Sequence, residues 1–247
     1  MTRICLTIEY DGSDYAGWQI QPNAVTVQAC VEAALERVVG SPVRLYSSGR
    51  TDAGVHAAGM KAHFDVETLL PLSAYREGVN RALPSAIVIR EAVVVADNFN
   101  ARFDACGKWY QYQIYRSNIR SPLHRRISWQ LGNALDLDKM IYAAQFFVGK
   151  HDFNAFRSSS CVSETSVREL YSFEIVEDGE MLLFNVRGRG FLKNMVRILV
   201  GTLVDVGIGR LAAETVEQLL LDGSRQDAGR TAPAHGLCLM DVWYEKM

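Results

Sequence analysis

The chain has 247 residues, 49% of them apolar and 22% charged, with a formal net charge of −2. That is ordinary globular composition, enough for one large core or two modest ones, and no apolar run is long enough for a signal peptide or a membrane span, so a cytoplasmic protein is expected. The five cysteines are scattered, with no CxxC pair and no zinc-like Cys/His grouping, which predicts reduced, mostly buried thiols rather than a disulfide frame or a metal centre.

RICLTIEY opens with Ile4, Leu6, Ile8 and Tyr10 in alternation, the period of a strand with one buried face. A loop rich in turn formers, DGSDYAGWQIQP, follows it. Val27, Val31, Ala34, Leu35 and Val38 then fall at helical spacing behind Thr26 as a cap, and Gly40 with Pro42 ends that helix. VRLYSS and MKAHFDVE read as two strands, Ser73 as the cap of a helix reaching Leu83, and AIVIREAVVVA as a buried strand after Pro84. The order is β-α-β-β-α-β, and the rest of the chain repeats it loosely: the aromatic strand KWYQYQIY, a helix near Asp136 to Val148, a hairpin turning at Asp178 and Gly179, helices near Phe191 to Val206 and Ala213 to Leu221, and the strand GLCLMDVWYE. The expected architecture is α+β, two ferredoxin-like β-α-β-β-α-β units (residues 1–105 and 106–247) with sheets side by side and a cleft between them.

The near-neutral net charge conceals a local imbalance. From Ala105 to Leu135 there is no acidic residue against Lys108, Arg116, Arg120, Arg125 and Arg126; from Asn185 to Arg210, Arg187, Arg189, Lys193, Arg197 and Arg210 face only Asp205. Solvated surface charge explains single basic residues, while two acid-poor windows also suit a polyanionic partner.

SSGRTDAGVHA, residues 47–57, places Asp52 on a connection between strands with glycines on either side. Glycine lets the backbone turn sharply and aim a short side chain outward; the structural alternative is an Asx turn, in which the carboxylate binds its own backbone. Arg50 beside it would favour the ionised form that a base or nucleophile requires. His56 and His63, seven apart with no third ligand, read as ordinary histidines rather than a metal pair. One carboxylate is too few for the usual glycosidase pair. Tyr110 and Tyr112 share one face of a strand, where aromatic rings flanked by basic residues can stack on a base or can simply fill a core. Lys193 and Arg197 begin an apolar helix after a glycine-rich bend, either at a phosphate-facing helix start or as snorkelling surface groups.

Six stretches together, YDGSDYAGWQIQP, GRTDAGVHA, FNARFDA, HDFNAFR, FLKNMVRILVG and APAHGLCLMDVWY, resemble the tRNA pseudouridine synthase A family in content and order over most of the chain. The resemblance implies an isomerase without cofactor or metal that converts uridine to pseudouridine at positions 38, 39 and 40 of the tRNA anticodon arm, as a homodimer. It puts Asp52 in the place of the catalytic aspartate, Tyr110 against the target base, and Arg50 and Arg197 around the pocket, with Arg197 a partner of the carboxylate. Two departures concern packing and RNA contact: Met60 stands where the family usually has glutamine, and KWYQYQIY carries fewer arginines than the corresponding strand of many relatives. The competing classes are an RNA-binding protein without catalysis, stacking bases on paired sheets, and a hydrolase using Asp52 with histidines on a metal.

Overall fold

In a computed structural model, which describes residues 1–132 and 134–245, the alternating apolar residues of the first strand become the middle of a sheet. Strand β1, Thr2–Tyr10, runs antiparallel to both β3, His56–Val66, and β4, Ile87–Val95, so Ile4 meets Phe64 on one side and Val94 on the other. Ile4, Leu6 and Ile8 are fully buried, as period-two patterning requires. Helix α1, Val27–Val39, turns Val27, Val31, Ala34 and Leu35 inward; the Thr26 hydroxyl accepts from the Ala29 amide and Gly40 ends the helix in the left-handed region at φ 83°. Strand β2 is only Tyr46–Ser47, paired with β3.

β3 begins at His56, four residues before the predicted start, because His56, Ala57, Ala58 and Gly59 carry little apolar periodicity although the backbone pairs. The next helix spans residues 72–80 with a π-helical centre at Ala74–Gly78. Ser73 does not cap it: its φ of −60° and ψ of −29° are already helical and its side chain makes no capping bond.

The chain divides into two compact units, Met1–Cys106 with Cys238–Met247, and Gly107–Leu237. The predicted second domain ends at residues 246 and 247, which lie outside the described residues. In the second unit β5, Gly107–Arg116, pairs antiparallel with β9, Met181–Gly188, setting Tyr110 opposite Val186 and Tyr112 opposite Phe184. The hairpin partner of β9 is β8, Val167–Asp178; Asp178 pairs with Met181, so the two-residue loop is Gly179–Glu180, one position later than predicted. Two short strands not foreseen, β6 (Trp129–Leu131) and β7 (Gly149–Asp152), extend it beside β5 and β8.

Helix α2, Leu137–Gln145, is capped by Asp136, whose carboxylate accepts from the Lys139 amide, and buries Met140, Ala143 and Ala144. Helix α3, Met195–Gly207, buries every residue except Arg197, the signature of a helix passing through a core. Helix α4 is Thr215–Leu221. The closing strand β10, Leu237–Trp243, pairs in parallel with β3, so the first unit is built from both ends of the chain, where the sequence predicts a single boundary near residue 105. The fold class is α+β, as the sequence predicts.

Candidate active site

Asp52 sits between β2 and β3 on a turn closed by the Val55 amide, which donates to the Asp52 carbonyl at 3.1 Å, with Gly54 at φ 79°. The Gly54 amide donates elsewhere, to Tyr15 O at 3.4 Å. The two amides an Asx turn would draw on are thus taken by backbone carbonyls, and the half-buried carboxylate is not consumed by its own turn.

What fixes the turn is the neighbouring loop, DGSDYAGWQ. Trp18 N donates to Thr51 O at 3.1 Å, and the buried Thr51 hydroxyl lies 2.7 Å from Tyr10 Oη. The two loops touch backbone to backbone at glycines. A Cβ on Gly12 would collide with the Val55 carbonyl, and one on Gly17, which has φ 93°, would lie 2.6 Å from Thr51 O. Only residues without a side chain allow that approach.

His56, directly after the turn, is buried, and its Nδ1 accepts the Gly12 amide at 3.1 Å with Asp11 Oδ1 also at 3.1 Å. His63 is buried seven residues on, with Nδ1 accepting the Ala101 amide at 3.2 Å and its ring stacked on Tyr46. Both histidines hold loops, as ordinary structural histidines do, and among the described residues no group of three His, Cys, Asp or Glu side chains is placed to hold a metal ion. Met60 is fully buried, and the Ser48 hydroxyl donates to its sulfur at 3.4 Å, which gives Met60 a settled packing role. Arg50 is exposed, and among the described residues no ion pair joins it to Asp52.

Tyr110 and Arg197 belong to the second unit. Tyr110 is nearly buried on β5, its ring meeting Phe191 edge to face at 5.0 Å. Tyr112, on the same face, is fully buried and donates to Pro233 O at 2.9 Å; burial raises its phenol above the ordinary range. Tyr112 is therefore a core residue that ties down the segment Pro233–Gly236, where a Cβ on Gly236 would strike the tyrosine ring.

Arg197 is held at its guanidinium and at its main chain. Its Nε donates to Ala232 O at 2.7 Å and its Nη1 to Asn194 Oδ1 at 2.9 Å, while Ala232 N donates back to the Arg197 carbonyl at 3.1 Å. This is not a snorkelling surface side chain. The segment that supplies Ala232 lies flush on α3: a Cβ on Gly201 would collide with Arg230 O, the Gly229 amide donates to Thr202 Oγ1 at 3.0 Å, and Arg230 Nη2 pairs with Asp205 at 3.0 Å. Asn194 and Ala232 went unnoticed in the sequence, and of the two only Asn194 left a trace, at the junction of a glycine-rich bend and an apolar helix.

The basic windows are partly tied to acids. Arg116 pairs with Glu177 at 2.7 Å, Arg210 with Asp205 at 3.6 Å, and Arg187 lies 3.7 Å from Glu174 while covering the Trp109 ring at 4.7 Å. Arg120, Arg125, Arg189 and Lys193 are exposed. The described cysteines are free thiols, and burial pushes Cys5 up to about 11 and Cys238 up to about 12.

A family model described as tRNA pseudouridine synthase matches residues 6–104 and 143–245. The chain is 56% identical over 244 residues to a tRNA pseudouridine synthase A of Syntrophotalea carbinolica, covering 99% of this chain and 97% of that protein. It is 52% identical to one of Geotalea uraniireducens, covering 99% and 100%, and 44% identical to one of Myxococcus xanthus, covering 99% and 92%. A solved archaeal box H/ACA sRNP Nop10-Cbf5 complex aligns at a TM-score of 0.39 with 16% identity, over 82% of this chain and 43% of that one. The chain belongs to the tRNA pseudouridine synthase family.

Proposed function

We propose that this member of the family isomerises uridine to pseudouridine at positions 38, 39 and 40 in the anticodon stem and loop of tRNA, acting in the cytoplasm as a homodimer, with Asp52 as the catalytic residue. Family membership supports the reaction class. The observation that carries the assignment to Asp52 is a half-buried carboxylate on a backbone-locked turn whose own amides are otherwise engaged.

The chemistry needs one carboxylate. The bond from ribose C1′ to uracil N1 breaks, a bond from C1′ to C5 forms, C5 gives up its proton and N1 takes one. The departing uracil spreads its charge over two carbonyl oxygens, so no strong general acid is required. Two routes suit one ionised aspartate: attack on C1′ to form a covalent adduct, or removal of the C2′ proton to give a glycal. In both, the base must rotate before it is rejoined, so the nucleotide leaves the stack at a cost of a few kcal/mol, roughly, offset by phosphate and ring contacts. Tyr110 has the role of confining the loose base and keeping water from trapping the sugar, and Arg50 and Arg197 that of supplying positive charge to the substrate. Exposed basic residues such as Arg125 and Lys193 hold the tRNA backbone.

The test is Asp52→Asn assayed by tritium release from tRNA labelled at uridine C5. The variant is expected to fold and bind tRNA as the parent does while release falls about a thousandfold or more. Substantial release by the purified variant would remove Asp52 from the reaction. Free uracil in the products would instead point to a hydrolase, and tRNA binding by the parent with unaltered nucleosides to a binding protein.

A further inference from the structure

We infer that Asn194 is a positioning residue that sets the plane of the Arg197 guanidinium. The inference rests on the reading that Arg197 serves the substrate. Asn194 stands at the N-terminal end of α3, where an asparagine ordinarily caps the helix with its side-chain oxygen. Here it does not cap. Thr26 and Asp136 both accept an amide from their own helices, whereas Asn194 makes no such bond and gives Oδ1 to Arg197 Nη1 at 2.9 Å.

Its backbone makes the geometry possible. Asn194 has φ 62° and ψ 3°, and Asn23 and Asn194 are the two non-glycine residues described at positive φ. Asparagine tolerates that region better than most residues, and the side chain thereby leaves the capping position. The Ala232 carbonyl on Nε at 2.7 Å and Asn194 Oδ1 on Nη1 at 2.9 Å then grip two different nitrogens of one planar group. Contacts on two different nitrogens fix the plane of the group more tightly than either contact alone. The helix is otherwise buried throughout, and the arginine is its one side chain that is not.

Asn194→Gly and Asn194→Ser test the inference. Glycine accepts the positive φ, so Asn194→Gly is expected to melt with the parent; serine is too short to reach Nη1 and less at ease at positive φ, so Asn194→Ser is expected to melt slightly lower, and both are expected to bind tRNA with the parent's affinity. Single-turnover conversion is expected to fall about tenfold or more, a loss in kcat and not in KM. Asn194→Asp keeps the backbone tolerance and an oxygen acceptor, and should recover most of that loss. A purely structural role predicts the reverse, a lowered melting point with the rate per folded molecule unchanged, and overturns the inference. Arg197→Ala measured alongside separates two failures. If it is impaired while the Gly and Ser variants match the parent, Asn194 does not position Arg197; if it too matches the parent, the role given to Arg197 falls, and this inference with it.

Discussion

The Asp52 loop of the first unit and the Arg197 segment of the second solve one problem, aiming a charged group, by different means. Around Asp52 the fixing is done by main chain: Gly12 and Gly17 admit a second loop to van der Waals contact, and Trp18 N, Tyr15 O and the Asp52 carbonyl complete the lattice. Around Arg197 it is done at the head of the side chain, by Ala232 O and Asn194 Oδ1. The difference follows from side-chain length. Aspartate has one methylene between backbone and carboxylate, so a rigid turn aims it; arginine has a flexible stem with about 2 kcal/mol of rotamer entropy and must be held where its charge is.

That contrast predicts that backbone changes near Asp52 cost stability and activity together, while Asn194→Gly costs activity alone. The largest effect is expected from Gly12→Ala. Its Cβ would collide with the Val55 carbonyl, a backbone atom that cannot step aside, so the two loops must separate. A loss of about 3 kcal/mol or more in urea unfolding is expected, with turnover falling further than stability explains. Parent-like unfolding and turnover would mean that the loop contact does not hold the aspartate.

A smaller effect on the same axis comes from Thr51→Val, which keeps the shape of the residue before Asp52 but removes the hydroxyl lying 2.7 Å from Tyr10 Oη. About 1 kcal/mol is expected from loss of that buried hydrogen bond. Combined with Tyr10→Phe, the double variant should lose less than the two single losses added together, since both changes remove the same hydrogen bond. Strict additivity by denaturant unfolding would show that the two hydroxyls do not cooperate.

Much of this was legible beforehand, and the limits have physical causes. Helix α1 carried both its end signals, Thr26 and Gly40, and β1 its alternation, because capping and period-two burial act through side chains. The start of β3 at His56, the two-residue β2 and the π-helical turn at Ala74–Gly78 are matters of backbone pairing that side-chain pattern reports weakly. α3 begins at Met195 and not at Phe191 because Asn194 leaves the helical region, a step invisible to apolar periodicity. At the site, flanking glycines pointed to Asp52. The bracket on Arg197 stayed hidden since its strongest member is a carbonyl 35 residues away, and a carbonyl belongs to every residue alike.

The least effect is expected where the first unit uses a titratable side chain to hold main chain. His63 Nδ1 must be unprotonated to accept the Ala101 amide, and burial first, then Arg3, holds its pKa below the ordinary histidine value, with Asp65 opposing. Because the folded-state value is the lower one, the unfolded chain binds more protons between the two, and stability rises with pH across that interval. Seen from above neutrality, stability should begin to fall as pH drops through about 6.5, the unfolded value, and stop falling once the folded histidine also titrates. His63→Asn can offer an amide oxygen near the position of Nδ1 and has nothing to protonate, so its unfolding free energy should vary less between pH 8 and pH 5.5 than that of the parent. An equal slope in both proteins would mean that the loop at Ala101 is held by other contacts, and that the main-chain lattice of the first unit does not depend on this imidazole.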